Sequence, residues 1–338
     1  MSSVVGWDIG GVHLKAARAE IGRIVKVAQY ASPLRAGMQP LERAFAQARA
    51  DMGQADHNVI TMTGELADTF SSRKEGVERL TALAKSELGA ISVYAGRAGY
   101  VQADKAVAHA ADIASANWHA CATLIARKCP DALLIDMGST TTDIVPIAAG
   151  QVAARGYTDA ERLAAGELVY SGLVRGFVMA TAYRAPLRGT WTPLINENFA
   201  TMADVHRILG SLPKGVDVMA TADGREKSVE ASRGRLARML GCDAADLDNR
   251  SWLLVARWFA EAQVRAIADA ASLVLSNNTA SPAPPIIAAG IGLTVIEEIA
   301  RRLACRYVKF DELLDVVPQM RAAVCYCAPA AALAALSS

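Results

Sequence analysis

Val4 to Lys15 reads VVGWDIGGVHLK, and Leu133 to Ile147 reads LLIDMGSTTTDIVPI. Each is an apolar run ending on an aspartate with a glycine two positions on: Asp8 and Gly10, then Asp136 and Gly138. In the first, a strand delivers Asp8 to its end. Gly10 and Gly11 withhold side chains, so backbone N–H groups can approach an oxyanion. His13 and Lys15 can add positive charge. A carboxylate repels bare phosphate, so the useful role for Asp8 is to hold magnesium, directly or through water. A tight hairpin explains DIGG equally well. In the second stretch, Gly138 precedes four hydroxyl residues, Ser139 to Thr142. Hydroxyls at a turn suit phosphate, and a solvated hairpin tip is the competing explanation. The recurrence of strand-Asp-x-Gly predicts two related halves, each presenting a phosphate-type loop.

Outward from these stretches, short apolar runs alternate with helical patterns, which indicates an α/β protein. NVITMT, AISVYA, DIVPIA and PIIAAG join the two quoted runs as strands. Leu41 to Asp51, Gly76 to Leu88, Asp104 to Lys128, Arg225 to Gly241 and Asn249 to Leu275 carry apolar residues at helical spacing. Ala185 to Asn198 lacks periodicity and is expected to form a loop or flap. Ser281 to Pro285 leads into IIAAG, whose turn runs through Gly290 and Gly292 to a helix. Thr294 and Glu297 have capping-box spacing there, and the helix start and close backbone approach suit a phosphate or a base. The expected domains are 1–130 and 131–338, the second with a loop or helical insertion at about 185–250.

Composition narrows the partners. Thirty-five Lys and Arg against 34 Asp and Glu leave a net charge of +1 in 338 residues, giving no electrostatic case for nucleic acid or an anionic membrane. Hydrophobic residues reach 52%, yet no uncharged run is apolar throughout the ~20 residues a bilayer needs. Ala322 to Leu336 is short and broken by Pro329. With no leader-like N-terminus, a cytoplasmic protein is expected. Six cysteines are too sparse for a disulfide scaffold. Cys325 and Cys327 would share one face of a strand but read as core filler.

Other chemistry-bearing groups are less specific. Thr63, Gly64, Glu65 and Asp68 lie where NVITMT ends, and a carboxylate there could accept a phenol proton or bind an amine. Helix capping explains them as well. Asn117, Trp118 and His119 sit in a helical pattern, where His119 is either a general base or a satisfied core group. Arg155, Tyr157, Asp159, Arg162 and Glu167 suit a small zwitterionic partner or a set of salt bridges. Thr221 to Gly224 reads as a turn.

DIGG, IDMGSTTTD and AAGIG, in that order, resemble the phosphate-one, phosphate-two and adenosine elements of the actin, Hsp70 and sugar-kinase superfamily, especially its hydantoinase and oxoprolinase branch. DIGGVHLKAA, ITMTGELADTF, SANWHA, LLIDMGSTTTDIVP and ERLAAGELVYSGLVRG resemble proteins linked to tetrahydromethanopterin-dependent one-carbon transfer, a family similar to the methanofuran-biosynthesis synthase. The resemblance spans nearly the whole chain. It implies a two-lobed actin-like ATPase and sugar-kinase fold, ribonuclease H-like and duplicated. It also implies a condensation of an aminomethylfuran-methyl diphosphate with the phenol of a glutamyl-tyramine or tyrosine unit, releasing pyrophosphate. Asp8 and Asp136 would then organise magnesium, and Gly10, Gly11, Lys15, Gly138, Ser139, Thr140, Thr141, Gly290 and Gly292 would cradle diphosphate. Glu65 and His119 would be catalytic candidates, with Thr63, Gly64, Asn117, Arg155 and Glu167 lining the acceptor side. The resemblance alone brings in Asp223. ATP is not the expected occupant, and a homo-oligomer is left open. The family pattern has asparagine commonly at His13 and a proline near Gly176 and Phe177, departures that touch the substrate more than the fold. Two alternatives use the same scaffold: an ATP-dependent kinase or amide hydrolase binding adenine near Ala289 to Gly292, and a non-enzymatic nucleotide switch.

Overall fold

The computed structural model describes residues 3–277 and 283–338. Ser281 and Pro282 of the proline-rich entry therefore lie outside the described residues. The chain forms two compact units. The first comprises Met1–Leu134, Val145–Asp159 and Val308–Ser338, and the second Ile135–Ile144 and Ala160–Tyr307. The chain first leaves the first unit after Leu134. Residues 145–159 and the C-terminal 31-residue segment from Val308 return to the first unit, a non-local packing that periodicity does not encode.

In the first unit, strands β1 (Ser3–Ile9), β2 (His13–Glu20) and β3 (Arg23–Ala31) form an antiparallel meander, and β4 (His57–Met62), β5 (Ile91–Tyr94) and β6 (Tyr100–Gln102) complete the order β3-β2-β1-β4-β5-β6. β1 pairs antiparallel with β2 and parallel with β4. β1 is buried along its whole length. Val5, Trp7 and Ile9 alternate onto one face, where they join Phe45 and Leu80 in a single core cluster. Each such side chain contributes roughly 1.5–3 kcal/mol by leaving water. Gly6 and Asp8 point to the opposite face, where the Ala328–Leu336 helix packs so closely that a methyl on Gly6 would strike the Ala330 carbonyl.

The second sheet repeats the plan with β7 (Ala132–Met137), β8 (Thr142–Ala148), β9 (Gln151–Val152), β10 (Leu168–Val169), β13 (Ile286–Gly290) and β14 (Tyr307–Lys309). Its order is β10-β8-β7-β13-β14, with β9 also on β8. A hairpin whose second strand begins just after the Asp-x-Gly turn, followed by later strands added on the far side of its first strand, is the ribonuclease H-like arrangement. It occurs in both sheets, as the recurring motif predicts.

Local sequence sets the helix limits. The Arg73–Leu88 helix starts where Ser72 accepts the Glu75 N–H and stops at Gly89, φ 77°. The 28-residue Asn249–Ser276 helix is capped by Asp248, which accepts from Ser251 N. Four expectations are corrected. Asp104 to Lys128 is not one helix: 3-10 turns over Ala103–His109 and a short Ala110–Ile113 helix end at Ser115, which adopts φ 54°, before the Asn117–Lys128 helix begins. The stretch at Ala185 holds a hairpin, β11 (Arg184–Leu187) with β12 (Thr190–Pro193), whose Trp191 packs on Trp258 at 5.2 Å. The Leu293–Arg302 helix has Gly292 at its N-cap and no side-chain cap, so Thr294 and Glu297 do not form a capping box. Cys325 closes a helix rather than lying in a strand, and both it and Cys327 are buried core residues, with the Cys325 thiol 3.3 Å from Asp311 Oδ1.

Among the described residues no single helix is long and apolar enough to cross a membrane. Pro318–Tyr326 and Ala328–Leu336 meet the length and composition together, but they bend by 111° and the second is core against β1.

Candidate functional site: two aspartate–glycine turns

The first turn links β1 to β2. Gly10 N–H donates to His13 O at 2.9 Å, so this donor closes the hairpin and is not offered to a ligand. Gly11 has nothing within 4 Å of where a Cβ would stand, so it faces open space. Asp8 is 2% exposed, and across the strands it stands opposite Lys15 on β2 and Thr61 on β4. Lys15 Nζ lies 3.8 Å from Asp8 Oδ2, so this lysine is a half-buried partner of the aspartate rather than a solvated surface group. His13 and Lys15 alternate with Leu14 and share one sheet face. Burial, and then the Lys15 charge, push the His13 imidazole down to about 4. The buried Thr61 Oγ1 and His13 Nε2 have no protein hydrogen-bond partner. The turn is thus a water-poor end of a sheet carrying one anion, one cation and two polar atoms unused by the fold.

The second turn, between β7 and β8, has the same skeleton: Gly138 N–H donates to Thr141 O at 2.9 Å. Its surroundings differ. Gly138 O accepts from Leu173 N at 3.0 Å, and Ser139 O accepts from Val174 N at 3.1 Å and Arg175 N at 2.8 Å. The carbonyls that would repel phosphate are therefore turned into the protein, while Ser139, Thr140 and Thr141 remain half-buried. Thr142 is fully buried and its hydroxyl donates to Ser171 O at 2.6 Å, which removes it from the expected set of four. Gly172 lies directly on the Ser139–Thr140 peptide, where any side chain would clash. Gly290, at φ 81°, lies against Met137 and Asp136; a Cβ there would be 2.5 Å from Asp136 Oδ1. Ile291 N donates to Met137 O at 2.8 Å and Gly292 N to the same oxygen at 3.2 Å. The IIAAG turn is in this way packed onto the end of β7.

Two supports of this turn were not legible in the sequence. Gly172 is signalled only as the small residue inside LVYSGLVRG. Gln263 is fully buried, donates to Ser171 Oγ at 3.1 Å and Gly172 O at 3.0 Å, and is itself held by His206 Nε2 at 2.8 Å. A lone glutamine in a long amphipathic helix carries no signal of that role.

The remaining sequence-derived residues lie outside the two turns themselves. Thr63 N donates to Ile9 O at 3.0 Å, and Gly64 touches the Ile9–Gly10 backbone, so this segment abuts the first turn. Asn117 Oδ1 accepts from Trp118 N at 2.8 Å, a local helix-start bond. His119 is buried, with Nδ1 2.8 Å from the Tyr94 hydroxyl and 3.3 Å from Thr123 Oγ1, edge-on to Trp118. That bonding accounts for it as a core group. Arg155 is exposed. Glu167 is buried beside Arg162, whose guanidinium donates to Asp143 Oδ1 at 2.8 Å and Glu167 O at 2.9 Å. Asp223 is held by Arg235 at 3.1 Å and Arg238 at 3.3 Å, which makes the Thr221 turn part of an ion-pair cage.

Among the described residues no group of three or more His, Cys, Asp or Glu side chains could hold a metal ion. Taken singly, the carboxylates of Asp8 and Asp136 are of the kind magnesium accepts, since that ion commonly takes one or two carboxylates and completes its shell with phosphate oxygens and water.

Residues 56–337 match the hydantoinase/oxoprolinase family. The chain belongs to that family. It is 33% identical over 242 residues, 71% of this chain and 72% of the other, to a Methanocaldococcus jannaschii enzyme. That enzyme is named as the synthase of a furan-2-yl methanamine whose ring carries a phenoxymethyl group with a gamma-L-glutamylaminoethyl arm. A Methanococcus vannielii protein of the same name is 35% identical over 111 residues, 33% of this chain and 50% of the other. Among solved structures, nucleotide-free acetone carboxylase superposes with a TM-score of 0.61 at 11% identity, covering 99% of this chain and 70% of that one. The fold of this hydantoinase/oxoprolinase family member is accordingly the actin-like ATPase and sugar-kinase fold.

Proposed function

We propose that this protein is an enzyme of methanofuran-type cofactor biosynthesis that joins an aminomethylfuran-methyl diphosphate to the phenol of a glutamyl-tyramine or tyrosine unit, with pyrophosphate as the other product. The observation that carries this reading is the 33% identity over 71% of the chain to a synthase whose named product contains a phenoxymethyl ether and a furan methanamine. An ether of that kind forms when a phenol oxygen displaces a good leaving group from a furylmethyl carbon. Two turns that each pair an aspartate with glycine suit an anionic leaving group.

In this reading Asp8 and Asp136 hold magnesium, which when bound draws charge from the departing diphosphate. Lys15, already close to Asp8, supplies a fixed cation, and the Ser139, Thr140 and Thr141 hydroxyls donate hydrogen bonds to diphosphate oxygens. Gly10 closes the first turn, Gly290 and Gly292 allow the close packing on Met137 that shapes the second, and Gly11 offers the open face where diphosphate can approach backbone. Thr63, Gly64, Asn117, Arg155 and Glu167 are assigned to the acceptor side, and the site is proposed to work in the cytoplasm. The furan ring shares the positive charge left on the methylene carbon. The test is direct: purified protein, magnesium, the furan diphosphate and glutamyl-tyramine should yield the ether by mass spectrometry with one pyrophosphate per ether. ATP hydrolysis in its place would sink the synthase reading and favour a hydrolase, the reading that the family's name supports, and phosphoryl transfer would favour a kinase.

A further inference from the structure

The segment that abuts the first turn carries a buried carboxylic acid with one oxygen that the fold does not use. A methyl on Gly64 would stand 3.1 Å from Ile9 O and 3.3 Å from the Gly10 carbonyl carbon, so residue 65 follows a residue pressed against the turn. The Glu65 side chain turns inward and is 1% exposed. Its Oε1 accepts from Ser115 Oγ at 2.8 Å, while Oε2 is buried with no hydrogen-bond partner.

A carboxyl oxygen left without a partner in a dry site is costly, and folds seldom keep one without a use. The surroundings hold this one in place. Gly76 of the Arg73–Leu88 helix packs so closely that a methyl there would lie 2.6 Å from Glu65 Cα. Ser115 delivers its hydroxyl from a φ of 54°, a strained conformation for serine of the kind that clusters at functional sites. Two further charged groups act on the carboxyl, Arg73 and Asp159, which are themselves paired at 3.3 Å.

We propose that Glu65 is the general base that removes the phenolic proton of the acceptor. The assignment rests on the synthase reading. In the step, the phenol O–H proton moves to Glu65 Oε2 as the phenol oxygen bonds to the furylmethyl carbon. The bond from that carbon to the diphosphate oxygen breaks and its electron pair leaves with pyrophosphate. Neutral Glu65 then returns the proton to water on product release. The carboxyl is suited to this traffic: burial pushes it up to about 7, against the lowering influence of the Ser115 hydrogen bond and Arg73 and with a raising influence from Asp159. A base poised near working pH is the most effective kind.

The experiment compares wild type, Glu65→Gln and Glu65→Asp with glutamyl-tyramine and with a ring-fluorinated analogue whose phenol is largely ionised at the assay pH. Wild-type kcat with the ordinary phenol should rise with pH through a limb near 7. Glu65→Gln should lose roughly 100-fold or more in kcat, lose that limb, and keep KM for both substrates. With the fluorinated phenol, which needs no base, the deficit should shrink to about tenfold or less, and Glu65→Asp should recover part of the rate. An equal deficit with both phenols, unchanged activity, or a raised KM for the aminomethyl substrate with kcat preserved would overturn the assignment, the last pointing to an ammonium anchor. If wild type forms no ether with either phenol, the synthase reading itself fails and the base assignment falls with it. Melting of the variants at pH 5 separates a folding defect from a catalytic one.

Discussion

The two turns share one backbone device and differ in what surrounds it. In each, the glycine two residues after the aspartate donates to the carbonyl three residues on, at 2.9 Å in both. The Asp8 turn is defined by charge: a nearly sealed carboxylate, the Lys15 ammonium 3.8 Å away and a neutral buried imidazole. The Asp136 turn is defined by packing: carbonyls tied back by residues 173–175, Gly172 and Gly290 pressed against it, and hydroxyls left half-buried. A duplicated scaffold thus supplies geometry twice, and the sequence around each copy gives it a separate task. In the proposed reaction the first turn would act electrostatically and the second by hydrogen bonding to oxygen.

If that contrast is right, backbone approach is essential at the second turn and dispensable at the first. Gly290→Ala places a Cβ against Asp136 and Met137 in a left-handed conformation, and should cost on the order of 3 kcal/mol or more in urea unfolding. Gly11→Ala meets nothing within 4 Å and should stay within about 0.5 kcal/mol. Equal effects would erase the distinction.

The charge-based turn and its neighbour should also govern the pH dependence of stability, with opposite signs. Glu65 is raised from 4.5 to about 7 on folding. Its contribution is therefore complete below 4.5 and is lost as pH rises through 7. Glu65→Gln should be relatively more stable at pH 8 than at pH 4.5, by on the order of 3 kcal/mol. His13 is lowered from 6.5 to about 4, so the unfolded chain takes up its proton first and stability falls as pH drops from 6.5 toward 4. His13→Asn should remove about 2 kcal/mol of that acid-side loss. The two terms oppose each other between pH 4.5 and 6.5, so wild type should look flat there while each single variant tilts. A melting profile that does not tilt in either variant would contradict the burial of these groups.

Reading the sequence reached the strands, the two turns and the duplicated plan because apolar runs ending in Asp-x-Gly are local patterns with a steric cause. It did not reach the parts set by distant partners. Nothing in Asp104 to Lys128 announces that Ser115 will adopt φ 54° and break the helix, nor that its hydroxyl will meet Glu65 fifty residues back. Gln263 supports the second turn by reaching Gly172 across 91 positions, and the approach of Lys15 to Asp8 follows only from the pairing of β2 with β1. His119 carries chemistry by residue type, and its bond to Tyr94, 25 positions back, is not legible in the sequence.

A smaller effect on stability is expected at Lys15 than at Gly290 or Glu65. Lys15→Met should cost about 1 kcal/mol in stability, because the lysine is partly exposed and 3.8 Å from Asp8. It should nevertheless weaken magnesium pyrophosphate binding by roughly tenfold, measured by calorimetric titration. Thr140→Val, in the hydroxyl turn, should weaken binding by less than Lys15→Met while leaving its salt dependence unchanged.

The most direct test of the central claim, that the two turns serve a diphosphate leaving group, is thermal stabilisation by magnesium pyrophosphate against magnesium ATP in wild type, Asp8→Ala and Asp136→Ala. The account predicts a rise in melting temperature with pyrophosphate, little with ATP, and loss of the pyrophosphate effect in both variants. Stabilisation by ATP alone, or pyrophosphate stabilisation that survives both substitutions, would contradict it.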